Sequence, residues 1–96
     1  MTYNELQEAL KVLGLPERAS LKEIRERHRI LVKRHHPDSG ALSAPEEIRN
    51  INAAYQCISS YLGSYRFSFS STEFYEQNPH ERLLQQFKTD PLWEKR

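Results

Sequence analysis

The side chains best suited to chemistry in this 96-residue chain lie between Lys22 and Asp38. His28, His35 and His36 supply imidazoles, Asp38 a carboxylate, and Lys22, Arg25, Arg29 and Lys33 a row of cations. Such a set could hold a metal, move protons or recognise an acidic partner. Metal ligation fails on spacing: His28 and His35 are two helical turns apart, roughly 10 Å, and cannot both reach one ion at ~2 Å. His35 and His36 are adjacent, and no thiolate or second acidic cluster joins them, so no metal is expected. Catalysis by His36 and Asp38 would need a pocket, oxyanion donors and an activated nucleophile, which the tip of a helical hairpin does not offer. No enzyme activity and no cofactor are therefore expected. Cys57 has no second cysteine to pair with and reads as a half-buried, inert thiol. Recognition remains.

Charge supports that direction. The whole chain carries 14 Lys+Arg against 13 Asp+Glu, a net charge of +1, which disfavours a globally basic nucleic-acid binder. From Lys22 to His35, however, six Lys/Arg face two Glu, a local charge of +4. A chain with 38% hydrophobic residues, hiding only somewhat more than ~60% of its unfolded surface, has little core to spare for a deep substrate cavity. No run approaches the ~20 apolar residues of a membrane span, and Met1-Thr2-Tyr3-Asn4 lacks a signal-peptide pattern. These features predict a cytoplasmic protein without membrane partners that works through its surface.

The elements that must position these residues are helices. Thr2-x-x-Glu5, Ser20-x-x-Glu23 and Ser43-x-x-Glu46 each read as a capping box, in which hydroxyl and carboxylate satisfy free N–H groups at a helix start. The first helix is predicted from about Tyr3 to Leu13, with Leu6, Ala9, Leu10 and Leu13 on one stripe and Gly14-x-Pro16 as its stop. The second runs from Leu21 to about His35, burying Leu21, Ile24, His28, Leu31 and Val32. Lys22, Arg25, Arg29 and Lys33 form the stripe beside that face. Pro37 ends the helix, and residues 38–42 form a loop. The third helix runs from about Ala44 to Leu62, with Ile48, Ile51, Ala54, Tyr55, Ile58 and Leu62 inward. Helices two and three should form an antiparallel hairpin with His36-Pro37-Asp38 at its tip.

After Gly63 the character changes. Tyr65, Phe67 and Phe69 alternate with Arg66, Ser68 and Ser70, the period of an extended segment, expected as a strap over the helices. Phe74 and Tyr75 fall in a short helical turn. Asn78-Pro79-His80-Glu81, with Asn78 as N-cap, opens a last helix to about Phe87 or Lys88, and Leu92-Trp93 is a terminal anchor. The fold class is all-α: a short N-terminal helix, an antiparallel hairpin, an aromatic extended strap and a C-terminal helix.

The string from Ala19 to Asp38, ASLKEIRERHRILVKRHHPD, closely resembles the second helix and loop of the J-domain (DnaJ-type) co-chaperone family. Leu13-Gly14-Leu15 resembles the end of that family's first helix, and Ile48-x-x-Ile51-x-x-Ala54-Tyr55 its third. The resemblance covers roughly residues 3 to 58, in order and with compatible spacing. It implies a J domain at 1–62 and an extension at 63–96, packed on or appended to it. It also implies a partner: a DnaK-type, seventy-kilodalton heat-shock chaperone whose ATP hydrolysis the module accelerates. Carried onto this chain, His36, Pro37 and Asp38 are the trigger, and Arg25 and Arg29 the docking charges, extended by Lys22 and Lys33.

Several positions depart from the family's pattern. Arg27 stands where a small residue is usual, His28 replaces a tyrosine, and His35 occupies another aromatic position; the two histidines read as partly buried with hydrogen-bond partners. Ile30 replaces a common basic residue, and Ser39-Gly40 follows the tripeptide without the usual cation. The short charged fourth helix, a glycine/phenylalanine-rich linker and a CxxC zinc module are not recognisable. These departures keep a second reading open, a J-like interaction module that recruits a client or scaffold through its aromatic tail. A third, nucleic-acid binding by the basic helix, is opposed by the near-neutral total and by Glu23 and Glu26.

Overall fold

Three helices form the first part of the chain because their apolar stripes can only be buried against one another. The structure, a computed structural model, describes residues 1–35 and 45–89. Helix α1 spans Tyr3–Leu13, α2 Leu21–Arg34 and α3 Pro45–Gly63; α4, Ser71–Gln77, and α5, Pro79–Thr89, follow. The described residues contain helices and no strand.

Both capping boxes that fall within the described residues are formed. Thr2 Oγ1 accepts from the Glu5 N–H while Glu5 accepts from the Thr2 N–H, and Ser20 and Glu23 repeat the exchange. The Ser43 box lies outside the described residues. Gly14 ends α1 in the left-handed region at φ 66°, its N–H returning to the carbonyls of Leu10 and Lys11. A side chain there would be strained and would meet the Arg27 guanidinium at 3.1 Å.

Ala9 and Leu13 from α1, Ile24 and Leu31 from α2, and Ile51, Ala54 and Ile58 from α3 are buried together. Leu6, Leu10, Val32, Tyr55 and Leu62 pack around them. The core is thus the set that the stripes specify, with one correction: Leu21 is 49% exposed. It is the first residue of α2, beyond the reach of the neighbouring helices' apolar faces. Helices α2 and α3 run antiparallel, since His28 meets Asn52 and Tyr55 while His35 meets Glu47.

The chain divides into two compact units, residues 1–65 and 66–96. In the second, no described residue is buried. The segment before α4 lacks helix or strand, but Phe67 and Phe69 are 66% and 93% exposed. The short turn at Phe74 and Tyr75 proves to be part of a seven-residue helix, started by Ser70, whose Oγ accepts from the Glu73 N–H at 3.1 Å. Asn78 stands directly before α5, at the expected N-cap position, and its side chain donates from Nδ2 to the Phe74 carbonyl at 2.8 Å, closing α4. Its backbone carbonyl opens α5, accepting from the Arg82 N–H.

Candidate partner-binding face

Helix α2 has two jobs, and its residues divide cleanly between them. One face buries Ile24 and Leu31; the opposite face leaves Lys22, Arg25, Arg29 and Lys33 exposed. From Lys22 to Lys33 the row is about 16 Å long at the helical rise. Arg29 approaches Glu26 at 3.8 Å with both side chains open to water, a contact of small energetic weight. Among the described residues, Lys22, Arg25 and Lys33 form no ion pair. The face can therefore offer its cations to an acidic surface with little internal neutralisation. Ile30, 40% exposed, adds an apolar spot to the same helix.

Three polar contacts fix the rotation of α2 and so the direction of this face. Arg27 Nε donates to the Leu13 carbonyl at 2.7 Å, tying α2 to the end of α1. The Arg27 guanidinium satisfies one of the carbonyls left open at a helix C-terminus. His28 stacks on Tyr55 with centroids 3.9 Å apart and planes 7° from parallel, and its Nε2 lies 2.9 Å from Asn52 Oδ1. His35 Nδ1 reaches Glu47 Oε2 at 2.7 Å. Both histidines are partly buried with partners, the expected reading. Arg27 thereby leaves the outward group: one of the six cations on this helix works internally. Its role was hidden in the sequence because the acceptor is a backbone carbonyl, although the proximity of a helix-terminating Gly14 was an available signal. Glu47 was missed as well, since an acidic first turn looks like dipole compensation alone.

Of the site residues expected from the sequence, the structure brings Lys22, Arg25, Arg29 and Lys33 onto one face. His36, Pro37 and Asp38 lie outside the described residues. They follow His35, the C-cap of α2, directly in sequence.

A three-helix unit with these stripes matches one family model, that of the DnaJ domain, over residues 8–61. The chain belongs to the DnaJ-domain family. Relatives include the chaperone protein DnaJ of Mycoplasmopsis pulmonis, 36% identical over 58 residues, 59% of this chain and 15% of that protein. The chaperone protein DnaJ of Orientia tsutsugamushi strain Boryong is 37% identical over 78 residues, 71% of this chain and 21% of the relative. The chaperone protein DnaJ 2 of Aquifex aeolicus is 35% identical over 60 residues, 62% of this chain and 16% of its own. The chain thus spans about a fifth or less of the length of these curated relatives. No solved structure gives a significant match.

Within this J domain, the departures at Arg27, His28 and His35 are accommodated as pairs. Each unusual side chain has found an acceptor or a ring on a neighbouring helix. The family match ends at Tyr61, within α3, and α4 and α5 lie beyond it. No described helix is long and apolar enough to cross a membrane.

Proposed function

We propose that this chain is a cytoplasmic co-chaperone that docks on a DnaK-type, seventy-kilodalton heat-shock chaperone and accelerates its ATP hydrolysis. Residues 1–62 act as the J domain and 63–96 as an extension of it. The observation that carries the proposal is the exposed row Lys22, Arg25, Arg29 and Lys33, on a DnaJ-domain helix that leads directly into His36-Pro37-Asp38. A basic face of this kind speeds encounter with an acidic groove and sets orientation. Asp38 can accept charge-assisted hydrogen bonds from a partner arginine, and Pro37 limits the ordering cost of binding.

The test is single-turnover ATP hydrolysis by a DnaK-type chaperone with and without this protein. Stimulation by wild type and its loss in His36→Gln is the expected result; identical behaviour of the two overturns the trigger assignment. Stimulation should also weaken as salt approaches the concentrations at which exposed charges are screened within ~8 Å.

A second reading rests on the aromatic residues of the extension, of which Phe67 and Phe69 are largely exposed. There the module recruits a client or scaffold through its tail and stimulates weakly. Partners retained in a pull-down after Asp38→Asn but lost after Trp93→Ala favour it.

A further inference from the structure

The buried residues of the α2–α3 hairpin stop one helical turn short of the loop. Leu31 is the last buried residue of α2, one helical turn before His35, and Ile51 is the first buried residue of α3, one turn after Glu47. Beyond them Val32 and Ile48 are only half-buried, and a polar contact joins the two helices at their ends. His35 Nδ1 and Glu47 Oε2 are 2.7 Å apart, with the histidine side chain only 26% exposed and the glutamate 54%. His35 is the C-cap of α2 and Glu47 lies in the first turn of α3, so the pair joins the two points between which residues 36–44 run. Each partner also suits its own helix end, an imidazole donor near carbonyls and a carboxylate near free N–H groups. A donor and a carboxylate at this separation form a short, directional bond, and directionality is what fixes a geometry.

We propose that His35 and Glu47 are positioning residues: their contact sets the spacing of the α2 and α3 ends and thereby the presentation of His36-Pro37-Asp38 to the chaperone. This inference rests on the co-chaperone reading given above. The pair touches no part of the basic row, so it acts on the trigger step and not on docking. Lys22, Arg25, Arg29 and Lys33 set how much protein is needed; the His35–Glu47 contact sets how fast the docked partner hydrolyses. Misplacing reactive groups by about an ångström costs rate steeply, so a loss of about tenfold in the maximal rate is expected when the contact is removed.

The experiment titrates the full chain into a DnaK-type chaperone and separates maximal stimulated rate from half-saturating concentration. Glu47→Leu and His35→Leu should lower the maximal rate about tenfold with half-saturation unchanged, whereas Arg25→Ala should raise half-saturation with the maximal rate retained. Glu47→Gln keeps an acceptor, and His35→Asn keeps a donor near the position of Nδ1; both should restore most of the rate. Circular dichroism and thermal melting of every variant show whether α1–α3 remain folded. Maximal rates that match wild type in the Leu variants, or failure of both conservative variants to recover rate while folded, overturn the positioning role and leave the co-chaperone reading standing. An absence of stimulation by wild type itself overturns both.

Discussion

The two units of this chain are built from the same material, short helices with polar caps, yet they hold themselves together differently. In residues 1–65 the capping boxes are reciprocal, seven side chains are buried, and α2 is tied to α1 and α3 by Arg27, His28 and His35. In residues 66–89 the only device of the first kind is one-sided. Ser70 accepts from Glu73 N–H, but the Glu73 carboxylate is taken by the Gln77 amide and the Ser70 N–H turns to Ser68. Leu83 and Phe74 are 50% and 51% exposed. The difference teaches that local signals suffice to start and stop a helix but not to hold it. An isolated helix of 7 or 11 residues is too short to persist in water by propensity alone. The first unit has burial to hold it; the described part of the second does not.

The largest test of this contrast is a matched pair of truncations. Leu13 is fully buried at the meeting of the three helices, so Leu13→Ala should cost about 2–5 kcal/mol in denaturant unfolding. Leu83→Ala, on a half-exposed side chain of α5, should stay within about 0.5 kcal/mol. Equal costs would erase the distinction between the units. Amide exchange supplies the companion measurement: amides of α1–α3 should be protected toward the global limit and those of α4 and α5 should exchange early.

Next in size is Gly14→Ala. The substitution places a side chain in the left-handed region, at about 1–2 kcal/mol, and pushes its Cβ to 3.1 Å from the Arg27 guanidinium. The cost should fall when Arg27→Ala is combined with it, because the crowding disappears while the backbone strain remains. Strict additivity of the two would show that Arg27 yields freely and that its bond to Leu13 is not a constraint on α2.

How far the sequence alone reaches can be seen from particular residues. The boundaries of α1–α3, the core from Ala9 to Ile58 and the outward basic row follow from periodicity and caps, which are local properties. Arg27 and Glu47 were not legible as ties, since their partners lie 14 and 12 residues away and are chosen by the packing of helices. Asn78 is legible as the N-cap of α5, but its second role, an amide returned to the Phe74 carbonyl, is decided by the geometry. Ser70-x-x-Glu73 carries the same signal as the boxes at Thr2 and Ser20, but the period-2 aromatic pattern that precedes it obscures it. His36-Pro37-Asp38, the trigger proposed above, is legible through family resemblance alone.

A smaller effect separates the caps. Ser70→Ala removes the single hydroxyl acceptor at the start of α4 and should cost that helix about 1 kcal/mol. Because the cap is one-sided, the loss should show as faster exchange of α4 amides with no change in α1–α3. A uniform drop across all five helices would mean that the second unit shares the first unit's cooperativity.

The smallest expected effect is a pH dependence at the start of α2. Glu23 accepts from the Ser20 backbone N–H at 3.0 Å, and Ser20 Oγ in turn accepts from the Glu23 N–H at 3.1 Å. The backbone bond first, then the hydroxyl, holds the Glu23 carboxyl below its ordinary value of 4.5, against a weaker opposing effect of desolvation. A carboxyl depressed in the folded state binds its proton less readily there than in the unfolded chain. Its contribution to stability is therefore complete above the unfolded value and disappears as pH falls from 4.5 through the lower folded value. Glu23→Gln retains an oxygen acceptor but cannot titrate, so wild type should lose slightly more thermal stability than this variant on acidification through that window. The group is fully exposed, which keeps the difference small, and salt should leave it largely intact because a hydrogen bond and not a distant charge is its cause. Parallel acid profiles for the two proteins would place the depression outside the folded cap and would remove the reciprocal box as a distinguishing feature of the first unit.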